Sequence, residues 1–338
     1  MTGISLKPLA PTAAADDGLR PVNLRTDLRP LADLIELVFA DSMDSAGRSA
    51  IREMRYLSHL GYGLKLLARL NDLALGISLG FVYVLDGKLV GNVSLYPAQY
   101  PKEMGETWIL ANVAVHPDYR RRGIAGSLVE ACLDMVRRRA CARVILQVNF
   151  DNVPAQRLYE RHGFIYERAW RIWRRSGFVG SVAAAAPGLP VAQSNGNEWA
   201  AELALAQLAR PNRRGGIGWL KPVHRAAFYR PWWRRLLYLI SLSGAERLII
   251  RDETRRAILA SCWLERAMGF SSVRGWLLVS PQVDQRAYAE ALLDYVVSRD
   301  ERSTIHFEHP QDDAIANDLF KRHQFRVDRE LWHMRHDL

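Results

Sequence analysis

The chain has 338 residues, which is too long for one ordinary hydrophobic core and suits two domains of moderate size. Its 49% hydrophobic and 24% charged residues are typical of a soluble globular protein, and its longest apolar stretch, residues 73–85, is too short to span a bilayer, so we expect no membrane span. The net charge of +10 favours anionic partners, among which a cofactor with several phosphates qualifies as well as nucleic acid does.

The predicted elements of the first half alternate between strands and helices. Residues 1–20 are rich in Ala, Pro and Asp and are predicted to form a disordered lead-in. The elements that follow are helices over residues 29–39 and 50–73, a hairpin of strands 81–84 and 89–96, a strand at 108–115, a helix at 125–138, a strand at 144–148, a helix at 154–162 and a strand at 164–173. This order predicts an α/β fold, an α+β mixed sheet with helices on both faces.

Local sequence signals support these elements. Asp86-Gly87 favours a type I′ turn between the two strands of the hairpin. The helix over residues 125–138 is amphipathic, with one apolar face formed by Leu128, Cys132, Leu133 and Val136. Between residues 177 and 196 the composition shifts to Ala, Gly, Pro, Ser and Asn, which predicts a domain boundary there. We therefore expect an N-terminal domain over residues 21–177 and a C-terminal domain over 178–338.

The cysteines and the N-terminus bear on cellular location. Cys132, Cys141 and Cys262 have no paired spacing, which indicates buried reduced thiols and suits a cytoplasmic protein. The first residues, MTGISLKPLAPTAAADDG, lack a basic start followed by an apolar stretch, so we expect no signal peptide.

Residues 113–127, VAVHPDYRRRGIAGS, form the most informative segment. A strand leads into a basic loop, and an apolar helix begins near Ala125. The first amide groups of a helix lack internal partners and carry partial positive charge, so this helix start predicts a cradle for a pyrophosphate. Gly123, Ala125 and Gly126 would let the backbone approach the phosphates. In isolation, the same string is also compatible with a solvated basic turn capped by glycine.

The segment resembles motif A of the GNAT superfamily of N-acetyltransferases, whose pattern is Gln/Arg-x-x-Gly-x-Gly/Ala. Here the motif reads RRRGIA at residues 120–125, after the strand NVAVHPDY and before VNFDNVPAQRLYERHGF at residues 148–164. The resemblance covers roughly residues 22–175. It implies a GNAT fold, acetyl-CoA as acyl donor, and transfer of the acetyl group to a small-molecule or peptide amine by direct attack in a ternary complex.

The resemblance also implies roles for individual residues. The backbone of Val113 and Val115 would hold the pantetheine arm. The groups that would hold the pyrophosphate are the loop amides and arginines of Arg120, Arg121, Arg122, Gly123, Ala125 and Gly126. Asn152 matches a residue that often contacts the cofactor arm, although Asn before Val-Pro-Ala is also a good helix N-cap, and both roles stay open.

Tyr159 matches a tyrosine that the family often places near the thioester sulfur. A free thiol has a pKa of about 8.5 and a phenol about 10, so a phenol there can protonate the leaving thiolate. The alternative is an aromatic side chain at the edge of the core. The general base is not readable, because Glu106 is only a candidate and His116 fits a structural turn. We expect no metal site.

The second half repeats the first in part. Residues 115–129 align without a gap with residues 279–293, so Pro117 meets Pro281 and the apolar helix face persists. The loop differs, and the replacements are Arg120 by Asp284, Gly123 by Ala287, and Gly126 by Glu290. The new carboxylates would repel a pyrophosphate, and a Cβ at the glycine position would crowd it.

The match extends to both sides of this loop. Residues 152–164 align with 313–325, where Asp313 keeps a capping side chain and Phe320 replaces Tyr159. Residues 82–96 have a rough counterpart at 248–263. A repeat of about 160 residues that keeps its caps and core but loses these groups predicts tandem GNAT-like acyl-CoA N-acyltransferase domains, the second one degenerate.

Residues 225–238, RAAFYRPWWRRLLY, are compatible with two interpretations. Arginines mixed with aromatic residues suit nucleic-acid binding, and the same residues suit an amphipathic helix that buries Trp232, Leu236 and Leu239. We favour the packing role and do not expect a nucleic-acid partner. The alternative function is a non-catalytic acyl-CoA sensor or a nucleic-acid-associated module with the same fold. The sequence does not indicate an oligomeric state.

Overall fold

The computed structural model describes residues 17–40, 43, 45–58, 79–98, 100–177, 188–229, 244–254, 256–266 and 272–338. The chain divides into two compact units that are not continuous in sequence. The first unit comprises Met1–Leu146, Arg157–Phe164 and His336–Leu338, and the second comprises Gln147–Gln156 and Ile165–Arg335.

The first unit is built on an antiparallel sheet that ends in one parallel pair. Its elements in chain order are β1 (Gly18–Pro21), α1 (Leu28–Phe39), α2 (Ser45–Ser58), β2 (Phe81–Leu85), β3 (Lys88–Pro97), β4 (Thr107–Val115), α3 (Ile124–Arg138), β5 (Arg143–Asn149) and α4 (Val153–Arg161). The strand order is β1-β2-β3-β4-β5, with β4 and β5 parallel. The C-terminal end of β5 and the N-terminal end of α4 belong to the second unit.

Helices cover both faces of this sheet. All four residues predicted for the apolar face of α3 are buried. On the face opposite to α3, α1 and α2 pack against β2, and the residues of this core are Leu28, Leu31, Ala32, Ile35, Ile51, Met54, Val82 and Val84.

The second unit has a similar mixed sheet. Its further elements are β6 (Ile165–Arg175), β7 (Ala192–Gln193), α5 (Trp199–Ala209), α6 (Arg225–Phe228), β8 (Gly244–Arg251), β9 (Ile258–Arg266), β10 (Ser272–Val279), α7 (Gln285–Arg299), β11 (Thr304–Pro310), α8 (Ala314–Arg322) and β12 (Arg326–Asp337). The strand order is β12-β6-β11-β10-β9-β8-β7, and β10 and β11 are its parallel pair. The strand β6, which completes the first repeat in sequence, therefore lies between two strands of the second repeat.

The predicted elements of the first half are confirmed within one or two residues at their ends, with two exceptions. The second helix begins at Ser45 instead of residue 50. Residues 18–20, predicted to belong to a disordered lead-in, are part of β1 and pair with β2. Some predictions concern residues outside the described ranges. These are residues 1–16 of the lead-in, residues 59–73 of the second helix, residues 178–187 at the predicted boundary, and residues 230–238 with Trp232 and Leu236, together with Leu239. The domain limits 21–177 and 178–338 refer to the repeats in sequence and stay predictions.

The two repeats share hydrogen bonds that simple similarity of fold does not require. The side-chain amide of Gln156 donates to the carbonyl groups of residues 149 and 150, at 3.1 and 2.7 Å. The aligned Asn317 donates to those of residues 310 and 311, at 3.2 and 2.8 Å. In each copy one amide therefore fixes the turn between the fifth strand and the following helix.

A second shared contact joins the C-terminal end of α4 to α3 in the first copy and that of α8 to α7 in the second. His162 Nδ1 lies 3.1 Å from Glu130 Oε2. At the aligned positions, His323 Nε2 lies 2.8 Å from Asp294 Oδ1. Because both copies keep this pair, the histidine serves to hold the helices together.

The three cysteines are free and buried. None of the described helices has both the length and the apolar character that crossing a bilayer requires.

Two buried histidines of the second unit stay neutral. His333 is 3% exposed and stacks on Trp170 with ring centroids 5.3 Å apart, and burial lowers its pKa to about 3. Burial also lowers the pKa of His309 to about 4, and the guanidinium of Arg210, 2.9 Å away, acts in the same direction. Both values lie below the pKa of about 6.5 that a histidine has in an unfolded chain.

We expect acid to destabilise the second unit between pH 6.5 and about 4, since the unfolded chain binds protons there that the folded chain excludes. From pH 7 to pH 5 each histidine should lower the free energy of unfolding by about 2 kcal/mol. Urea titrations followed by tryptophan emission measure this, because Trp170 and Trp219 both contact His333. His333→Gln should remove about half of the histidine contribution, and an unchanged pH dependence in that variant would contradict the assignment.

Candidate active site

The loop before α3 presents backbone amides without partners. Arg121 has φ +65° and Gly123 has φ +80°, so two left-handed residues flank Arg122. Backbone conformations that alternate in this way point neighbouring N–H groups towards a shared concave space. No described residue accepts a hydrogen bond from the amides of residues 121–126. A Cβ at Gly123 would meet nothing within 4 Å, so glycine is needed here for its backbone conformation. Unpartnered amides at a helix start fit a pyrophosphate.

The arginines of this loop are held by neutral groups. Arg120 Nε donates to the carbonyl of Val115 at 3.3 Å. Arg122 Nη2 donates to the carbonyl of Asp118 at 3.4 Å, and its guanidinium lies 5.0 Å from the ring centroid of Tyr119. All three arginines are exposed. Because these contacts neutralise no charge, the loop keeps its positive potential for an anionic ligand.

The strand that leads into the loop has a bulge. Ala114 pairs with Asn92 and Ala111 with Ser94, so two residues of β4, Asn112 and Val113, lie opposite Val93 alone and β4 has one extra residue. Asn112 takes φ +52°, which is uncommon for a residue other than glycine. The parallel pairing of β4 with β5 ends at Ile109 among the described residues. The second half of β4 is therefore free of β5, as the predicted backbone contacts of Val113 and Val115 with pantetheine require.

Gly126 and Ala125 lie in the first turn of α3, where α4 approaches. A Cβ at Gly126 would lie 3.4 Å from His162 Nε2. Tyr159 is three residues before His162 in sequence, and so lies on the same face of the chain one helical turn away. The position of Tyr159 next to the loop stays a prediction.

Tyr159 is 7% exposed and packs edge to face on Phe164, with ring centroids 5.8 Å apart. Burial raises the pKa of its phenol, because the charged form loses hydration. The group therefore keeps its proton at neutral pH, which a general acid requires, and its role in proton transfer stays a prediction.

Asn152 belongs to the second unit. Its Oδ1 accepts from the amide of Ala155 at 3.2 Å, so the capping role is confirmed and the contact with a cofactor stays a prediction.

The two residues weighed as bases have structural partners. Glu106 Oε1 accepts from the Trp108 indole at 2.8 Å, where β4 begins, and the phosphate loop follows the other end of that strand. His116 Nδ1 accepts from the amide of Asp118 at 3.4 Å, which confirms its role in the turn. The structure assigns no base.

Sequence reasoning missed a polar cluster beside the bulge. Asn92, Ser94 and Tyr96 alternate along β3, and Asn112 Nδ2 lies 3.3 Å from Ser94 Oγ and 3.4 Å from Tyr96 Oη. Polar residues at every second position of a strand indicate a solvent-facing side, yet Asn92 and Ser94 are fully buried. The signal that could have revealed this cluster was the run of alternating polar residues in β3, which precedes β4, the strand predicted to contact the cofactor.

The aligned region of the second repeat is filled by its own residues. Residues 285–287, which match 121–123, are helical because α7 begins early. The carboxylate of Asp284 accepts from the amides of Arg286 and Ala287, at 3.1 and 3.3 Å. It thus occupies the position of an anion at the helix start.

The strands of the second repeat differ as well. β10 pairs with β9 without a register shift, so no bulge is present there. Past the end of the pairing between β10 and β11, Glu308 accepts from the amide of Trp219 at 2.6 Å and from the indole of Trp276 at 3.0 Å. A loop of the chain itself therefore closes the gap that β4 and β5 leave open.

Comparisons with known proteins agree with this geometry. The model of the acetyltransferase (GNAT) family matches residues 52–164. N-alpha-acetyltransferase 30 of Schizosaccharomyces pombe is 37% identical over 65 residues, which is 19% of this chain and 43% of that relative, so the likeness concerns less than half of the curated protein.

Two solved structures resemble nearly the whole chain. The GCN5-related N-acetyltransferase from Sphaerobacter thermophilus has a TM-score of 0.61 at 17% identity, covering 94% of this chain and 95% of its own. A tandem GNAT protein from the clavulanic acid biosynthesis pathway has a TM-score of 0.53 at 14% identity, covering 94% of this chain and 98% of its own. Residues 52–164 therefore match the acetyltransferase (GNAT) family model, and the chain has a tandem GNAT fold.

Proposed function

We propose that the protein is an acetyl-CoA-dependent N-acetyltransferase that acts on a small-molecule or peptide amine. The observation that carries this proposal is the set of unpartnered amides at residues 121–126, surrounded by uncompensated arginines in a domain of this family. These groups would hold the pyrophosphate of acetyl-CoA, and the backbone of Val113 and Val115 would hold its pantetheine arm, for which Arg120 Nε would have to leave the carbonyl of Val115. Asn152 would contact the same arm.

The reaction is direct attack within a ternary complex. The amine nitrogen attacks the thioester carbonyl carbon, a C–N bond forms, and the C–S bond breaks. The thiolate of CoA leaves and takes the proton of Tyr159, while the amine loses a proton through water. The phenolate of Tyr159 then regains a proton from solvent, and burial favours this step because it raises the pKa of the phenol.

The two repeats divide the work unequally in this proposal. Residues 21–177 carry the acetyl-CoA site, and residues 178–338 form a degenerate copy whose own Asp284 occupies the helix start. Its Phe320 also lacks the hydroxyl of Tyr159. The free buried cysteines support a cytoplasmic location.

Calorimetric titration with acetyl-CoA should show one site per chain, with a dissociation constant of about 1 μM. Gly123→Glu should weaken binding by about a hundredfold or more, since it places a carboxylate by the pyrophosphate and a side chain at φ +80°. The matched control is Ala287→Glu at the aligned position of the second repeat, which should leave the affinity unchanged. Two equivalent sites, or none, would refute the assignment of one working copy.

Tyr159→Phe separates catalysis from binding. Loss of the proton donor should lower kcat by about a hundredfold and leave the dissociation constant of acetyl-CoA unchanged. Steady-state rates of CoA release and the same titration measure the two quantities. An unchanged kcat would exclude Tyr159 as the acid. If the variant and the unmodified protein both bind acetyl-CoA and the unmodified protein shows no turnover, the result would favour an acyl-CoA sensor.

A further inference from the structure

A row of polar side chains lies on an otherwise apolar face of the first unit. Asn92 on β3 pairs with Val82 on β2, and residues directly opposite in a sheet share a face. Val82 belongs to the core formed with α1 and α2, so Asn92 points to that side. Ser94 and Tyr96 follow at alternate positions on the same face.

This polar row is hydrogen-bonded but not satisfied. Asn92 is 0% exposed and its Nδ2 donates to the carbonyl of Asn112 at 2.9 Å. Asn112 Nδ2 in turn approaches Ser94 Oγ and Tyr96 Oη. Asn92 Oδ1 is buried and has no hydrogen-bond partner. An acceptor left in this state costs about 1–3 kcal/mol of stability and can accept a hydrogen bond from a ligand.

The second repeat shows that the fold does not need these polar groups. Ala114 aligns with Leu278, and their strand partners are Asn92 and Ser261. Two residues further along the same strand, Trp263 stands where the first repeat has Ser94. Trp276 aligns with Asn112, and both tryptophans pack in an apolar cluster. Aromatic packing therefore replaces Ser94 and Asn112 in the second repeat, whereas a buried polar residue, Ser261, remains at the position of Asn92.

The row also lies where a thioester would end. Asn112 and Val113 form the bulge of β4, and the pantetheine arm is expected to follow the backbone of Val113 and Val115. A group that meets Asn112 from the face opposite to α3 therefore lies close to the end of that arm.

We propose that Asn92, Ser94, Tyr96 and Asn112 bind and orient the amino group of the acceptor, which we expect to be a primary amine. This inference rests on the proposed acetyltransferase function. Asn92 Oδ1 and Tyr96 Oη accept N–H groups of the amine. The four side chains include no carboxylate, so they hold the amine without stabilising its protonated form, and its lone pair stays available for attack. They are positioning residues and take no proton from the substrate.

Ser94→Ala and Ser261→Ala form a matched pair for the test. Both serines are 1% exposed and lie on equivalent strands of the two repeats, so each variant removes one buried hydroxyl, from the polar row in one case and from the second repeat in the other. The probes are spermidine, glucosamine, alanine amide and an unblocked octapeptide, of which the amine acetylated fastest by the unmodified protein is used. Ser94→Ala should raise KM for that amine about tenfold, as expected for one lost hydrogen-bonding group, while Ser261→Ala should not change it.

Asn112→Ala should raise the same KM further, because it releases both Ser94 and Tyr96. Neither variant should change the dissociation constant of acetyl-CoA, and Ser94→Thr, which restores the hydroxyl, should recover most of the KM effect. Thermal unfolding of the two serine variants shows whether their folds are equally intact.

The outcomes separate this inference from the function on which it rests. An unchanged KM in a folded Ser94→Ala variant overturns the inference and leaves the acetyltransferase intact. A loss of acetyl-CoA affinity in that variant also overturns it, because the row would then belong to the cofactor site. If the unmodified protein binds acetyl-CoA and acetylates none of the four amines, the proposed function fails and the inference falls with it.

Discussion

The start of a helix exposes amide groups that the helix itself cannot satisfy, and the chain meets this constraint in two opposite ways. In α7 the carboxylate of Asp284 accepts from two of these amides, and the helix is complete without a ligand. In α3 the corresponding amides have no partner among the described residues. Arg121 and Gly123 have positive φ values, which a regular helical turn does not allow, so this loop stays outside α3.

The difference between the two repeats extends along a whole strand. The bulge of β4 turns the strand away from regular pairing and leaves polar side chains beside an open backbone, whereas β10 keeps regular pairing and buries tryptophans. Polar burial costs stability and aromatic burial provides it. The contacts common to both copies, at Gln156 and Asn317, fix the same turn in each copy.

Much of this arrangement was predictable from short stretches of sequence. The helix at 125–138 depends on local periodicity, and the loop at residues 120–123 depends on glycine. Both elements were predicted. The burial of Asn92 and Ser94 was not, because alternating polarity in a strand looks the same whether water or a helix covers the polar side. For Asp284 the sequence indicated only repulsion of phosphate. Asp284 caps α7 because the helix begins at the next residue, and the alignment of the two repeats does not show where a helix begins.

The position of β6 limits where the chain can be divided into separate domains. This strand pairs with β11 along one edge and with β12 along the other, and it carries the buried Trp170 and Trp173. A gene that ended after codon 177 would encode β6 without either neighbour, and the exposed edges would favour self-association over folding. Residues 178–338 are therefore needed to pair both edges of β6, independently of any ligand site of their own.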